Sequence, residues 1–168
     1  METSFPYTEY LQIPSERIPI LLGRLGLVKK KIEQQTGIRL KVGETVEITG
    51  QPEGVFLAST IVKAIARGFD PDQAFLLADE EWELSVITLG HETRNTQKRL
   101  FGRVIGRSGQ AKKNIEESCK CRIAVYGKTV SVISHTLDHK RATQAVELLL
   151  EGHTHPYVYK RVGGRAPL

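Results

Sequence analysis

Phe101-Gly102-Arg103-Val104-Ile105-Gly106-Arg107-Ser108-Gly109-Gln110-Ala111-Lys112-Lys113-Asn114 sets two glycines around a polar pair and follows them with helix formers and two lysines. Glycine has no Cβ, so a Gly-x-x-Gly turn lets another backbone approach closely while Arg107 and Ser108 project at its tip. Where such a turn opens a helix, free N–H groups and the positive end of the helix dipole face an incoming group. That makes an anion site. Chance turns supply many Gly-x-x-Gly runs, so the reading depends on what flanks this one: Val104-Ile105 before it, Ile115 after it, then a strand-like Arg122-Ile123-Ala124-Val125.

The pattern recurs 83 positions upstream. Gly23-Arg24-Leu25-Gly26 lies on Gly106 to Gly109, Lys29-Lys30 on Lys112-Lys113, Ile32 on Ile115, Glu33 on Glu116 and Arg39 on Arg122. One inserted residue then raises the offset to 84. Gly43 to Ile48 falls on Gly127 to Val132, and Ala58, Ile61, Val62, Ile65 and Gly68 fall on Ala142, Ala145, Val146, Leu149 and Gly152. A match sustained over three successive elements indicates two copies of one domain.

The order within each copy reads β-α-α-β-β-α. Tyr7 to Ile13 is strand-like before a proline, and Ser15 is placed to cap a short helix through Ile18, Leu21 and Leu22. After Gly26 a second helix buries Val28 and Ile32, with Gly37 as its C-cap. Strands at 38–42 and 45–49 follow, and a helix over 53–67 closes the unit. Asp70 and Pro71 start a short apolar helix whose Phe75 and Leu76 are expected to pack between the copies. Trp82 to Ile87 alternates and reads as the next strand, residues 91–97 read as loop, and the tail, with Tyr157 and Tyr159 and then Gly163-Gly164, reads as loose at its end.

A chain of 168 residues suits two small domains that shelter each other's surface. At 40% hydrophobic and 26% charged, with no apolar run near 18 residues and no basic-then-apolar start, it reads as a cytoplasmic protein. Its net charge of +5 is unevenly spread. Residues 1–68 carry nine basic and seven acidic groups, residues 69–92 none and seven, and residues 93–152 twelve and five. A basic second half behind an acidic connector points to a polyanionic partner for that half. Cys119 and Cys121 are too close for a comfortable disulfide and lack zinc spacing with His135 or His139, so they read as small semi-buried residues.

These residues resemble one family, the KH-domain ribosome-assembly factor of archaea and eukaryotes that works with the endonuclease maturing the 3′ end of small-subunit rRNA. The specific parts are Gly102 to Gly109, the Val125 to Val130 hairpin, and Ala66-Arg67-Gly68-Phe69-Asp70-Pro71 leading to Ala74-Phe75. The last is not a generic KH feature. The resemblance implies an α+β chain of two tandem type I KH domains packed together through a helical connector: a first domain over 1–68, the connector at 69–80, a second domain over 81–152 and a tail at 153–168. It further implies binding of single-stranded RNA near the small-subunit rRNA 3′ end, without cofactor, metal or catalysis. The rRNA 3′-end endonuclease and the alpha subunit of translation initiation factor 2 are the candidate protein partners.

The candidate RNA-binding residues are Gly106, Arg107, Ser108, Gly109, Arg103, Lys112, Lys113 and Lys128 in the second copy, and Gly23, Arg24, Gly26, Lys29 and Lys30 in the first. Leu25 stands where binding loops usually offer a polar or basic residue, so the first loop is the weaker candidate. Lys112 and Lys113 also suit a solvated helix face, and Tyr126 suits either base stacking or covering the sheet. An enzyme would need a paired acid and base, an activated nucleophile or a metal cluster, and Glu80-Glu81 lies away from both loops. The alternative reading is a scaffold that contacts a translation or assembly factor and binds RNA only weakly.

Overall fold

Alternation puts Leu40, Val46 and Ile48 on one face of the first copy's strands and Arg39, Lys41 and Glu47 on the other, so only one face needs covering. The computed structural model describes residues 6–163 and shows that sheet. β1 (Tyr7–Leu11), α1 (Ile18–Leu22), α2 (Leu27–Thr36), β2 (Arg39–Val42), β3 (Val46–Gly50) and α3 (Pro52–Ala66) follow in chain order. The sheet is antiparallel in the order β1-β3-β2. α3 buries Val55, Ala58, Ile61, Val62 and Ile65, and Leu21 and Ile32 are wholly buried from α1 and α2.

Asp70 ends the turn after α3 and starts α4 (Pro71–Ala74), with the Asp70 N–H donating to Gln73 Oε1 at 3.3 Å. The second copy then repeats the first: β4 (Trp82–Thr88), α5 (Arg94–Ile105), α6 (Gln110–Cys119), β5 (Cys121–Tyr126), β6 (Thr129–His135) and α7 (Thr136–Leu150). Its sheet has the matching order β4-β6-β5. Val104, Ile115, Ile123, Val130, Val132, Val146 and Leu149 form its core. The inserted residue is Tyr126, which adds one pair, Tyr126↔Thr129, beyond Val125↔Val130. In the first copy the hairpin stops at Val42↔Val46.

Contacts divide the chain into residues 1–80 and 81–168. The connector at 69–80 is therefore part of the first unit: Phe69, Ala74 and Leu77 are buried, and α4 and the 3-10 turn Phe75–Ala78 contact α3. The capped start at Asp70 sets the phase of this turn, so Leu77 turns inward while Phe75 and Leu76 stay half-buried. Phe75 lies under Lys31, whose Nζ is 4.1 Å from the ring centre.

Two expectations change. Arg94 to Gln97 is helix, because Thr93 Oγ1 accepts from Thr96 N at 3.3 Å and the buried Gln97 donates to Leu89 O and Glu92 O. Ser15 opens a 3-10 turn, Ser15–Arg17, rather than capping a helix. The tail also holds a helix that the sequence reading lacked: α8 (His155–Arg161) buries Val158 and Tyr159, and Val162 just beyond it, in the second core. Gly164 and the residues beyond lie outside the described part.

Candidate nucleic-acid interface

Both loops have one backbone shape. Gly23 and Gly106 have φ 70° and 73° with ψ 178°, and Gly26 and Gly109 are left-handed at φ 73° and 75°. The residue between is left-handed too: Leu25 at φ 54°, ψ 26° and Ser108 at φ 51°, ψ 31°. The glycines are needed for different reasons. A Cβ on Gly106 would stand 2.5 Å from Ala111 Cβ and 2.7 Å from its backbone N, whereas one on Gly109 meets nothing within 4 Å and is opposed only by the positive φ. The first glycine lets the chain press against the following helix, and the second reverses it into that helix. Arg107 and Ser108 are both exposed at the tip.

The helix after each loop faces an edge strand across a groove. In the first unit the groove is a cavity of about 590 Å³, lined among others by Leu22, Lys29, Glu33, Arg39, Lys41 and Val42. In each unit the helix glutamate ties the two walls: Glu33 Oε1 accepts Leu40 N at 2.8 Å, and Glu116 Oε1 accepts Ile123 N at 2.9 Å. β5 runs back from that bond toward the loop, so the Gly127-Lys128 turn stands at the loop end of the groove with Lys128 exposed.

The predicted residues therefore do not all play one part. Gly106, Arg107, Ser108 and Gly109 form the loop, and Lys113 is exposed one turn beyond it. Lys112 lies 3.9 Å from Glu116, as Lys29 lies 3.6 Å from Glu33. Arg24 and Lys30 are exposed beside Gly23 and Gly26. Arg103 is reassigned. Its Nε donates to Leu149 O at 2.9 Å and its Nη2 to His153 O, so it holds the end of α7. Arg17 does the same for α3, donating to Ile65 O and Phe69 O at 2.7 Å each. The acceptors are repeat-related, 65 with 149 and 69 with 153, but the donors come from unrelated positions.

Sequence reasoning passed over Arg39, Lys41 and Arg122, exposed on the edge strands β2 and β5. The repeat already aligned Arg39 with Arg122, and that was the available signal. It also passed over His155 and Tyr159, which α8 brings to the back of the second loop. Nothing local in residues 153–163 marks them, because the approach is tertiary.

Other chemistry-bearing groups are accounted for by packing. Cys119 and Cys121 are free and buried, and burial pushes the Cys121 thiol up to about 12 and raises Cys119 as well, which disfavours the reactive thiolate. His139 bridges Ser85 Oγ at 2.7 Å through Nε2 and the buried Ser134 Oγ at 2.6 Å through Nδ1. Glu83 is 3.9 Å from the same nitrogen as Ser85, so no carboxylate orients the ring from its far side as a nucleophile relay requires. Among the described residues no three His, Cys, Asp or Glu side chains gather as a metal site.

A family model described as eukaryotic type KH-domain, KH-domain type I, matches residues 83–166, and one described as KH domain matches residues 8–64. A KH domain-containing protein of Methanocaldococcus jannaschii is 38% identical over 161 residues, which cover 90% of this chain and 71% of that protein. The crystal structure of Dim2p from Pyrococcus horikoshii superposes with a TM-score of 0.87 at 36% identity, over 94% of this chain and 98% of that one. In the a/eIF2alpha–aDim2p–rRNA complex from the same organism, the matching chain gives 0.88 at 36% identity, over 96% and 95%. A protein of unknown function from Aeropyrum pernix gives 0.87 at 31% identity, over 94% and 89%.

Proposed function

Because the chain belongs to the family of two-KH-domain ribosome-assembly factors that includes archaeal Dim2p, we propose that it binds single-stranded small-subunit rRNA near the 3′ end and assists its processing and assembly. The observation that carries this reading is the second loop, which presents Arg107 and Ser108 exposed at the start of α6, beside the edge strand β5, in the basic half of the chain. The strand's phosphates run over the loop and the first turn of α6, which presents the positive end of the helix dipole. About four bases then lie in the groove between α6 and β5, as KH folds take single strands. Arg107, Ser108, Lys112, Lys113, Lys128 and Arg122 supply the contacts, and the protein acts as a binding module rather than an enzyme, in the cytoplasm.

The first unit supports a second reading of its own loop. Leu25 is 84% exposed at the tip and Leu27 is exposed beside it, which suits a protein surface better than a phosphate chain. The Pyrococcus Dim2p complex includes a/eIF2alpha, so the alpha subunit of that initiation factor is the candidate partner, with the 3′-end endonuclease as the other. Gly23, Arg24, Gly26, Lys29 and Lys30 keep the shape and charge for an accessory RNA contact.

Crosslinking the protein to purified small-subunit rRNA and mapping the sites by reverse transcription tests the main reading. Crosslinks from Arg107, Lys113 and Lys128 should cluster near the 3′ end. Crosslinks spread evenly along the rRNA would leave only the scaffold reading.

A further inference from the structure

α8 leaves a cavity of about 350 Å³ between itself and the back of the second loop, lined by Gly106, Arg107, Gln110, His155, Pro156 and Tyr159 over an Ala111 floor. This is not the groove. At about 100° per residue, Gln110 lies about 200° round α6 from Lys112, and Ala111 about 140° from Glu116. The two sites therefore lie on different faces of α6 and share only the loop. α8 follows its β-α-α-β-β-α unit where α4 follows the first, 71 falling on 155 at the offset of 84, but α4 is four residues long and passes into a 3-10 turn whereas α8 runs for seven.

The lining has the chemistry of a base site. Pro156 and the half-buried His155 ring stand on one side with the buried Tyr159 behind them, and the size falls in the range of about 300–1,000 Å³ usual for small-molecule pockets. His155 Nε2 lies 2.8 Å from Arg103 O, and because a carbonyl only accepts, that nitrogen carries the proton. Nδ1 of the neutral ring is then left as an acceptor for an amino or ring N–H. Arg107 stands at the lip, exposed and without an ion-pair partner among the described residues. A polyanion crossing the loop tip reaches this cavity within about one nucleotide of the groove, because Gly106 and Arg107 belong to both.

We propose that this cavity is a subsite for one further nucleotide of the bound strand, with its base against His155 and Pro156 and its phosphate on Arg107. The inference rests on the RNA-binding reading above, and its test separates the two. The ¹⁵N-labelled full chain is titrated with two single strands of one sequence from the rRNA 3′ end, one of about four nucleotides and one of about seven. Amides of Lys112, Ile123 and Val125 report the groove and should shift with both. The Tyr159 amide and the His155 ring report the cavity and should shift only with the longer strand. His155→Phe keeps a ring but loses the acceptor. It should remove about tenfold of the affinity gained by lengthening, the scale of one lost hydrogen bond with the stacking kept, and leave the shorter strand's affinity as it was. Groove shifts without any response from α8 would overturn the subsite and leave the function standing. No shift at either place would overturn both. Equal weakening of both strands by His155→Phe would show that the residue only supports the fold, and would also sink the subsite.

Discussion

The two loops share a backbone and differ at the tip. Leu25 and Ser108 sit at nearly the same left-handed angles, each between a glycine pressed on the next helix and a glycine that reverses into it. The glycines and the helix that follows fix the shape, so the shape carries no information about the ligand. Only the two middle residues are free to vary without cost to the fold. One loop spends that freedom on an exposed leucine, the other on a serine beside an arginine in the basic half.

The largest effect should come from breaking the second tip while sparing its glycines. Gly106→Asp is a poor tool, because its Cβ would meet the backbone of Ala111 and disturb the fold itself. Arg107→Asp with Ser108→Asp leaves the turn intact, since both side chains are exposed and Asp tolerates the left-handed angle at 108. Losing a charge-assisted contact worth about 1.5–3 kcal/mol and adding repulsion should weaken single-strand binding by roughly 50-fold or more. Arg24→Asp with Leu25→Asp in the first loop should weaken it less than about fivefold on the same scale. Fluorescence titration of both variants with one oligonucleotide measures the contrast, and equal losses would abolish it.

A smaller contrast separates the two arginines that close the units. Arg17 is only 9% exposed and donates to two carbonyls at the end of α3. Arg17→Ala should cost about 2–3 kcal/mol, because it takes that donor from Phe69 O and leaves Ile65 O with backbone donors alone, Gly68 N at 3.2 Å among them. Arg103 makes the matching pair of bonds from a more exposed position, so Arg103→Ala should cost about 1–2 kcal/mol. Trp82, the chain's only tryptophan, lies in the second unit, so its fluorescence in urea follows Arg103→Ala, while far-ultraviolet dichroism follows both. If Arg103→Ala left the Trp82 transition unmoved but weakened RNA binding, Arg103 would return to the RNA surface.

Much of this was legible in the sequence for a physical reason. Repetition at 83 and then 84 positions marks the elements from the loop through α3 and α7 twice, and alternation marks the first strands, so the β-α-α-β-β-α order of each unit and both loops could be read from glycine spacing and apolar periodicity. What failed was local patterning. Gln97 is polar yet buried, because it satisfies carbonyls of the turn before its own helix. Residues 155–162 show too short an apolar pattern to announce a packed helix, and only the fold brings them to the loop. Arg103 sits in the loop motif by sequence, but its position on α5 turns it toward the end of α7. Charge told which half to favour but not which charges are free.

That last point sets the smallest and sharpest difference. Lys112 and Lys113 are adjacent in sequence and equal in formal charge, and both follow the loop. Yet Lys112 lies 3.9 Å from Glu116, whose Oε1 already accepts Ile123 N, whereas Lys113 is exposed. A cation shared with a carboxylate condenses fewer phosphates, so its removal should change counterion release less. On single strands each full contact contributes about −0.7 to the slope of log K against log salt. Lys113→Ala should therefore flatten the slope by about that amount, Lys112→Ala by roughly half of it, and Lys30→Ala in the first unit by close to none. Titrations at four or five salt concentrations resolve these values. An unchanged slope for Lys113→Ala would place that lysine on a merely solvated face. A full-sized change for Lys30→Ala would mean that the strand also crosses the first loop, and the leucine at its tip would then need another explanation.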